Sequence, residues 1–457
     1  MTTSQTQPER FAPLFWWANV TELFERAAYY SMASFVVLYL GRLGLGEYWP
    51  STLNSTLWAL VYFLPILSGT IADQVGFRRS LLVAFVLLAI GYGLMGYPVW
   101  LGEHDLMPTV GKEISLPGSG VLPLVAGILL IGAGGSVIKP CIAGTVQKTA
   151  SRRATLGFAL FYMVINIGSL VGRTVAYSVR TFYRMDISVI FAVAAVFSVV
   201  AFFVVLFFYR EPEAAGGVAA KPRRSVLRIL ADMVLVLRNL RFAIFLIVSA
   251  GFWFLYNQVY NLLPLYTEKV VQNRPPMDMY TIANPLTIVL FQLLVTRLFG
   301  KIRPIRSIVI GTVGIGFSML INLVPIYTAG GVKAITAVGL PVGAIFIIST
   351  VALIAFSELF ASPRMYEWVG ALAPKGQEGL FLGYANLPLA LGALAGGPVG
   401  AWIFNEIMCK GATTRPDGLL DLVPANNAAG WLILMAIGFV SAISMWFYNR
   451  WLEGQKA

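Results

Sequence analysis

Long apolar stretches, separated by short polar segments, follow one another along the chain from Phe15 to the C-terminus. Each stretch has about 20 residues, the length that an α-helix needs to cross a hydrocarbon core of about 30 Å. The stretch SLLVAFVLLAIGYGLMG (80–96) is apolar throughout rather than at alternate positions, so it indicates a helix and not a strand of an outer-membrane barrel. The pattern therefore predicts an all-α membrane protein.

We predict twelve membrane spans, so that both termini lie on one side of the membrane. The spans are predicted at residues 14–43, 50–73, 79–101, 121–147, 154–179, 186–210, 240–268, 277–300, 304–328, 335–361, 376–407 and 427–451. The segment REPEAAGGVAAKPRR (210–224) is rich in Ala, Gly, Pro and charge, which is typical of a flexible connection. We therefore expect six-helix bundles at 1–209 and 240–457, joined by a cytoplasmic linker at 210–239.

Basic residues are concentrated in alternate loops of this arrangement. Those on one side are Arg78, Arg79, Lys148, Arg152, Arg153, Lys221, Arg223, Arg224, Arg228, Arg238, Lys301, Arg303 and Arg306. The opposite loops are mixed in charge, and the one between the seventh and eighth spans contains Glu268, Lys269, Arg274 and Asp278. Because basic loops of membrane proteins face the cytoplasm, we expect an inner-membrane protein with both termini cytoplasmic.

Composition agrees with a membrane protein and argues against several other classes. The 457 residues are 58% hydrophobic and 12% charged, and the mean hydropathy of +0.76 is far above that of a soluble domain. The N-terminal segment MTTSQTQPERFAP lacks the features of a signal peptide, so we expect it to be retained. The net charge of +12 is accounted for by loop positions, so we expect no nucleic-acid partner.

Few residues suggest catalytic or metal chemistry. Cys141 and Cys409 do not make a disulfide framework, and His104 is the single histidine. The chain has no nucleotide-binding GxxxxGK[ST] motif and no HExxH motif. We therefore expect no metal, no cofactor and no enzymatic reaction.

The first span carries an unusual row of polar residues in the run TELFERAAYY. Glu22, Glu25, Arg26 and Tyr29 share one helical face. Each charge costs about 2.5–3.5 kcal/mol at a helix centre on insertion scales, so this face must contact protein or water rather than lipid. Glu22 and Arg26 stand four residues apart and can form a purely structural ion pair. Ionisable groups inside a membrane are more often functional, and we favour that interpretation.

Two further charges lie inside predicted spans. Lys139 lies about two turns inside the fourth span, beside Pro140, and we expect it to face a central cavity. The other interpretation is that its long side chain extends back to the membrane surface. Glu358 follows a long apolar run in the tenth span, so it lies inside the membrane unless it sits near the cytoplasmic end of that span. With the first-span charges they make three acids and two bases, so uptake of one proton neutralises the cluster. A zwitterionic substrate such as a peptide, or another zwitterion, finds both charge signs here.

Three motifs resemble those of one transporter family. ELFERAAYY is similar to the ExxERFxYY signature of the proton-coupled oligopeptide transporter (POT/PTR) family of the major facilitator superfamily, with Ala27 in place of Phe. FALFYMVINIGSL (158–170) resembles the family's FYxxINxGS signature, and GGSVIKPCIAG (134–144) resembles its GxIKPCV segment. The resemblance implies the major facilitator fold, with twelve transmembrane helices in two six-helix bundles, and proton-coupled import of di- and tripeptides by alternating access. Import of nitrate, amino-acid conjugates or drugs, as in some relatives, and a ligand-sensing transceptor stay open.

The resemblance also implies roles for particular residues. It implies proton coupling by Glu22, Glu25, Arg26 and Lys139; carboxylate binding by Arg26 and Lys139; amine binding by Glu358, Asn166 and Asn284; peptide contacts from Tyr29, Tyr30 and Tyr62; and a cytoplasmic gate motif of Asp73, Arg78 and Arg79. The implied partners are small peptides, protons and the lipid bilayer. We expect the chain to function as a monomer.

Two positions depart from this family pattern. Asn257 stands in the seventh span where many members carry an acid, and an amide cannot bind and release a proton. Bulky Tyr260 nearby is expected to narrow the pocket. Arg173 is an unexpected charge in the fifth span, and the resemblance gives it no role. It can latch the outer gate by pairing with an acid of the opposite bundle, or reach the outer membrane surface.

Overall fold

The computed structural model describes residues 11–150, 154–212, 231, 235, 237–328, 330–372 and 384–454. Most of the predicted linker at 210–239 lies outside these residues, and so does the beginning of the predicted eleventh span, at 376–383.

The first half of the chain is helical from residue 13 onward. Its helices are α1 (Pro13–Met32), α2 (Val36–Arg42), α3 (Trp49–Phe63), α4 (Pro65–Val75), α5 (Phe77–Trp100), α6 (Gly118–Thr149), α7 (Ala154–Phe182) and α8 (Val189–Phe208). Proline stands in the first turn of α1, α3 and α4, where a missing N–H leaves no intrahelical hydrogen bond unmade. Pro65 also marks the 45° bend that separates α3 from α4 within the second span.

The second half repeats this plan with more interruptions. Its helices are α9 (Leu240–Asn257), α10 (Leu262–Tyr266), α11 (Met277–Thr281), α12 (Ala283–Phe299), α13 (Pro304–Leu320), α14 (Val324–Tyr327), α15 (Val342–Leu372), α16 (Leu387–Trp402) and α17 (Pro424–Gly454). Short 3₁₀ turns (Gln258–Tyr260, Ile321–Leu323 and Gly331–Lys333) and π turns (Thr267–Val271 and Ile403–Met408) extend several of them. Strands β1 (Thr413–Thr414) and β2 (Leu420–Asp421) form an antiparallel hairpin before α17.

Within the described residues, ten helical segments are long and apolar enough to cross a membrane, and the bent pair α3 and α4 makes an eleventh. Helix α1, with 20 residues, is not among these segments and carries the three charges noted above. The exact number of twelve is consistent with the structure and stays a prediction.

The helices pack as two bundles, as the resemblance implies. In the first half, α1 packs against α7 and α8, while α5 packs against α6 and α8. In the second half, α13 packs against α15 and α17, while α9 packs against α16 and α17. The bundles meet where α3 packs on α16 and where α7 packs on α12. This arrangement confirms the predicted fold class.

Two sequence expectations about boundaries were wrong. The tenth span, predicted at 335–361, is the helix Val342–Leu372, because residues before it turn back and pair Ile335 with Pro341. Glu268 and Asp278, expected between the seventh and eighth spans, lie instead at the ends of the helical segments Leu240–Val271 and Met277–Phe299. They are buried in the π turn after α10 and in α11, respectively.

On the side opposite the predicted cytoplasmic face, polar contacts join the two halves. Arg42 donates to Glu268 Oε1 from Nε at 2.8 Å and from Nη2 at 2.6 Å. Arg180 Nη2 donates to both oxygens of Asp278 at 3.0 Å. Each pair joins the first half of the chain to the second, and both carboxylates are buried. This side, the closed end hereafter, is therefore sealed.

Further hydrogen bonds between the two halves reinforce the closed end. Ser34 and Thr281 share a hydroxyl hydrogen bond of 2.7 Å, and Asn54 Nδ2 donates to the carbonyl of Tyr260 at 2.9 Å. Tyr48 donates to Glu406 across the same boundary, and this hydrogen bond, with some burial, raises the pKa of Tyr48 to about 12. Tyr48 therefore stays a hydrogen-bond donor at neutral pH.

A close contact between helices of the two halves depends on Gly397 in α16. A Cβ atom at this position would lie 2.1 Å from the carbonyl oxygen of Ser51 and 2.2 Å from the hydroxyl of Ser55, both in α3. The backbone of α3 cannot yield by a side-chain rotation, so a methyl group forces the two helices apart. Glycine is thus required where α16 of the second half approaches α3 of the first half.

Gly397→Ala is expected to shift the protein toward the form open at this end. Overpacking costs about 1–3 kcal/mol, which changes the population ratio by about tenfold or more. The measurement is the rate at which an impermeant maleimide labels Cys at position 34, introduced by Ser34→Cys with Cys141→Ser and Cys409→Ser. The matched control is Gly93→Ala, since a Cβ there meets no atom within 4 Å. Equal labelling rates in the two alanine variants would contradict the prediction.

Candidate functional site

A cavity of about 1140 Å³ lies between the two bundles. Its mouth, on the predicted cytoplasmic side, is lined by Asp73, Gln74, Phe77, Gln147 and Lys148. Tyr30 and Ser169 line the inner part of the cavity, beneath the closed end. The cavity thus opens to one side of the molecule, while the ion pairs described above close the other.

Arg26 of α1 lines the cavity and forms ion pairs with Glu22 and Glu25, which lie farther from the cavity. Its Nη2 donates to Glu25 Oε1 at 2.7 Å, its Nε donates to Glu25 Oε2, and its Nε lies 3.4 Å from Glu22 Oε1. All three side chains are buried, and neither oxygen of Glu22 has a hydrogen-bond partner among the described residues. Arg26 lines the cavity, whereas Glu22 and Glu25 lie one layer behind it.

Lys139 lies on the same half of the cavity as Arg26. It extends from α6, and its Nζ lies 4.8 Å from the centre of the Tyr62 ring. Both residues line the cavity. Lys139 therefore faces the cavity rather than reaching back to the interface, and Tyr62 supplies a cation–π partner that needs no second charge.

The second half supplies an acid to the cavity. Glu358 lies in the interior of α15 and lines the cavity together with Asn284 of α12. Among the described residues, Glu358 Oε2 and Asn284 Nδ2 are buried without a hydrogen-bond partner. Asn166 of α7 also lines the cavity, and its amide donates to the carbonyl of Tyr162 at 2.9 Å. The carboxylate of Glu358 and the amide of Asn284 thus lie next to each other in the second half, while Lys139 and Arg26 line the cavity from the first half.

Tyr29 does not line the cavity, although the resemblance implies a substrate contact there. Its ring packs edge-on against Tyr30 and Trp58, with centroids 5.4 and 5.5 Å apart. Because neighbouring aromatic rings occupy the space toward the cavity, Tyr29 stays behind the wall in this conformation. Tyr30 takes the place at the wall itself.

The three gate-motif residues lie in different environments. Asp73 lines the mouth of the cavity, Arg79 is exposed, and Arg78 donates from Nη2 to the carbonyl of Leu206 at 2.7 Å. Glu211, which the sequence reading did not select, accepts from the backbone N–H groups of Phe77 and Arg78 at 2.8 and 2.9 Å. It caps the start of α5, where a carboxylate is favoured.

Aromatic side chains of the cavity were also missed by sequence reasoning. Trp253, Tyr256, Tyr162 and Tyr366 all line it. In the sequence they stand in or beside long apolar stretches, where an aromatic residue equally indicates packing or a lipid contact. The pattern carried no signal that separates these possibilities for Trp253, Tyr256 and Tyr366, whereas Tyr162 is the tyrosine of the FYxxINxGS signature quoted above.

The two unexpected positions, Asn257 and Arg173, lie at the boundary between the halves. Asn257 is buried and accepts a hydrogen bond from Ser55 Oγ at 3.4 Å. Arg173 does not reach the surface and, within the described residues, it has no acidic partner. It contacts the opposite half through hydroxyl groups, donating to Thr281 Oγ1 at 3.0 Å and to Tyr260 Oη at 3.2 Å.

Metal chemistry finds no candidate in the part of the chain that the structure describes. No group of three or more His, Cys, Asp or Glu side chains there is arranged to hold a metal ion.

Comparison with known proteins shows similarity to a transporter superfamily and to peptide transporters. The family model described as Major Facilitator Superfamily matches residues 48–367. The dipeptide and tripeptide permease A of Citrobacter koseri is 32% identical over 165 residues, which cover 36% of this chain and 29% of the permease. The peptide transporter family 1 protein of Drosophila melanogaster is 32% identical over 226 residues, covering 46% of this chain and 28% of that protein. The chain thus spans about three tenths of the length of these curated relatives.

Solved structures share the fold over nearly the whole chain. A peptide transporter POT in complex with sulfate has a TM-score of 0.73 and 19% identity, covering 96% of this chain and 94% of its own. A POT family transporter in complex with 5-aminolevulinic acid has a TM-score of 0.72 and 18% identity, covering 95% of each chain. At these identities the similarity establishes the fold.

Arg26→Met is expected to destabilise the protein strongly, because two buried carboxylates lose their cation. Breaking a buried ion pair from one side costs about 3–5 kcal/mol. The measurement is the unfolding temperature of detergent-purified protein without substrate. The matched control is Arg303→Met, since Arg303 and its partner Glu453 have side chains that are 70% and 52% exposed. Similar unfolding temperatures for the two variants would show that the Arg26 cluster contributes no more than a surface pair.

Proposed function

Because this chain belongs to the Major Facilitator Superfamily, and because the relatives and folds that it matches are those of the POT peptide transporters that its motifs resemble, we propose that it imports di- and tripeptides together with protons. Transport proceeds by alternating access, in which the halves at 1–209 and 240–457 rock about a central cavity. In this proposal the protein acts as a monomer in the inner membrane, with both termini cytoplasmic.

One observation carries this proposal: opposite charges face one cavity from opposite halves of the molecule. Arg26 and Lys139 belong to the first half, and Glu358 belongs to the second. A peptide zwitterion satisfies both charge signs when its carboxylate meets the cations and its amine meets Glu358. Such a ligand binds both halves at once, so it favours the state in which they stand close together.

The acids behind Arg26 support proton coupling. Glu22 and Glu25 share the one guanidinium that also lines the cavity. Protonation of either acid weakens its hold on Arg26 and leaves more of that cation available to a substrate carboxylate. Proton uptake and peptide binding are then linked through Arg26, and each favours the other.

Glu22→Gln and Glu25→Gln are each expected to abolish peptide accumulation driven by a proton gradient. Glutamine keeps the shape of the side chain but cannot take up or release a proton. Exchange of labelled for unlabelled alanyl-alanine should persist, because it needs no net proton movement. The measurement is uptake into proteoliposomes with and without a pH gradient. The control variant is Glu453→Gln, an exposed glutamate at the end of α17.

Full gradient-driven accumulation in both Glu22→Gln and Glu25→Gln would exclude these acids as the coupling groups. Peptide binding without either accumulation or exchange in the wild type would instead indicate a ligand-sensing protein. Stronger competition by nitrate, by amino-acid conjugates or by 5-aminolevulinic acid than by any di- or tripeptide would replace the proposed substrate.

The two ends of the peptide are expected to be recognised separately. Lys139→Met should lower the affinity for alanyl-alanine by about tenfold or more, which corresponds to the loss of a charge-assisted hydrogen bond. The same substitution should have little effect on the affinity for alanyl-alanine amide, which lacks the C-terminal carboxylate. Glu358→Gln should lower the affinity for alanyl-alanine by a similar factor. It should have little effect on the affinity for N-acetylated alanyl-alanine, which lacks the positive amine. The measurement is displacement of a bound labelled peptide by each form. Equal losses for all forms would mean that these residues do not contact the peptide termini.

A further inference from the structure

Arg173 of α7 is a buried cation at the boundary between the two halves. Its relative exposure is 0%. The guanidinium donates to Ser169 of its own helix, and to Thr281 and Tyr260 of the opposite half as described above. The centre of the Tyr30 ring lies 4.6 Å from the guanidinium carbon. All its polar contacts in the described residues are therefore with hydroxyl groups.

The absence of a carboxylate partner distinguishes Arg173 from Arg26 and Arg42, which are also buried, and from the partly buried Arg180. Arg26, Arg42 and Arg180 each lie within 4.0 Å of an acid. No ion pair of Arg173 with an acid occurs among the described residues. A charge removed from water without a counter-ion is unfavourable, and neutral hydroxyls compensate it only in part. An anion brought near Arg173 therefore gains more than one brought near a paired arginine.

Close helix packing places Arg173 beside the cavity. Gly168 and Gly172 lie against α1, and a Cβ on them would lie 2.7 Å from the carbonyl oxygen of Leu23 and 2.2 Å from that of Ala27. This small-xxx-small contact lets α7 approach α1 closely, so the residue after Gly172 reaches the Tyr30 ring. Tyr30 and Ser169, which both touch Arg173, line the cavity. One layer of side chains separates the guanidinium from the cavity.

Arg173 changes the charge balance of the deep part of the cavity. The sequence alone suggested three acids, Glu22, Glu25 and Glu358, against two bases. With Arg173 beside Arg26 and Lys139, the bases also number three. One proton taken up by the acids then leaves a net positive site, and a substrate with one extra negative charge restores neutrality.

We propose that Arg173 is a specificity-determining residue that makes the cavity favour peptides with a carboxylate side chain over their neutral isosteres. This inference rests on the proposed peptide transport. The side-chain carboxylate lies toward Tyr30 and Ser169. When the halves separate at the closed end, Thr281 and Tyr260 leave with the second half, and the guanidinium N–H groups become available to that carboxylate.

The test compares alanyl-glutamate with alanyl-glutamine, which differ by a charge at nearly constant shape. The measurement is the concentration of each peptide that halves exchange of labelled alanyl-alanine in proteoliposomes. The wild type is expected to require about tenfold less alanyl-glutamate than alanyl-glutamine. Arg173→Gln is expected to bring this ratio to about one, and Arg173→Lys, which keeps the charge, to retain a preference of several-fold.

Thr281→Val is the control for a purely structural effect, because it removes a cross-half hydrogen bond of Arg173 and leaves the cation. Its ratio should match that of the wild type. A ratio of one in the wild type, or an unchanged ratio in Arg173→Gln, would overturn the inference and leave peptide transport standing. The wild-type ratio needs no variant, so the test does not depend on the folding of Arg173→Gln. If no dipeptide competes or exchanges, the proposed function fails and this inference fails with it.

Discussion

Buried charge is the constraint on which the rest of this structure depends. Hydrocarbon offers neither water nor counter-ions, so each ionised side chain inside the span region must find its partner in the protein. Arg26 finds Glu25 and Glu22 on its own helix, whereas Arg42 and Arg180 find Glu268 and Asp278 on the opposite half. The same requirement therefore builds both the binding cavity and the closed end.

The location of each partner decides what happens when the halves move apart. Arg26 keeps its acids in any arrangement of the bundles, because all three groups belong to α1. The ion pairs of Arg42 and Arg180 break when the closed end opens. Water that enters this end must then solvate both members of each pair. Opening of that end is thus linked to its hydration, while the Arg26 cluster can change its protonation without being taken apart. This separation suits the proposed transport cycle, in which the Arg26 cluster persists while the closed end opens and closes.

Several parts of the molecule followed from local sequence. The apolar stretches gave the helices, because the membrane demands about 20 apolar residues for each crossing. The same pattern identified the charged face of α1, together with Lys139 and Glu358. A charge inside an apolar span is energetically unfavourable, so such residues stand out and indicate a functional site. The start of α15 did carry a local signal that the prediction passed over, since residues 335–341 are mostly apolar but contain Gly339, with φ +78°, and Pro341 directly before the first helical residue.

The sequence by itself determined that this chain is a helical membrane protein with ionisable groups inside its spans, because hydrophobicity and helical periodicity are properties of neighbouring residues. Only the tertiary structure decided which of those groups meet. Arg42 with Glu268 and Arg180 with Asp278 are separated by 226 and 98 positions, and no local pattern specifies such pairs. Arg173 shows the same limit: its sequence suggested an acidic partner or the membrane surface, and packing of α7 on α1 and α11 gave it hydroxyl groups and a place beside the cavity. Long-range contacts of this kind depend on how whole helices pack, which the order of residues along any one helix does not contain.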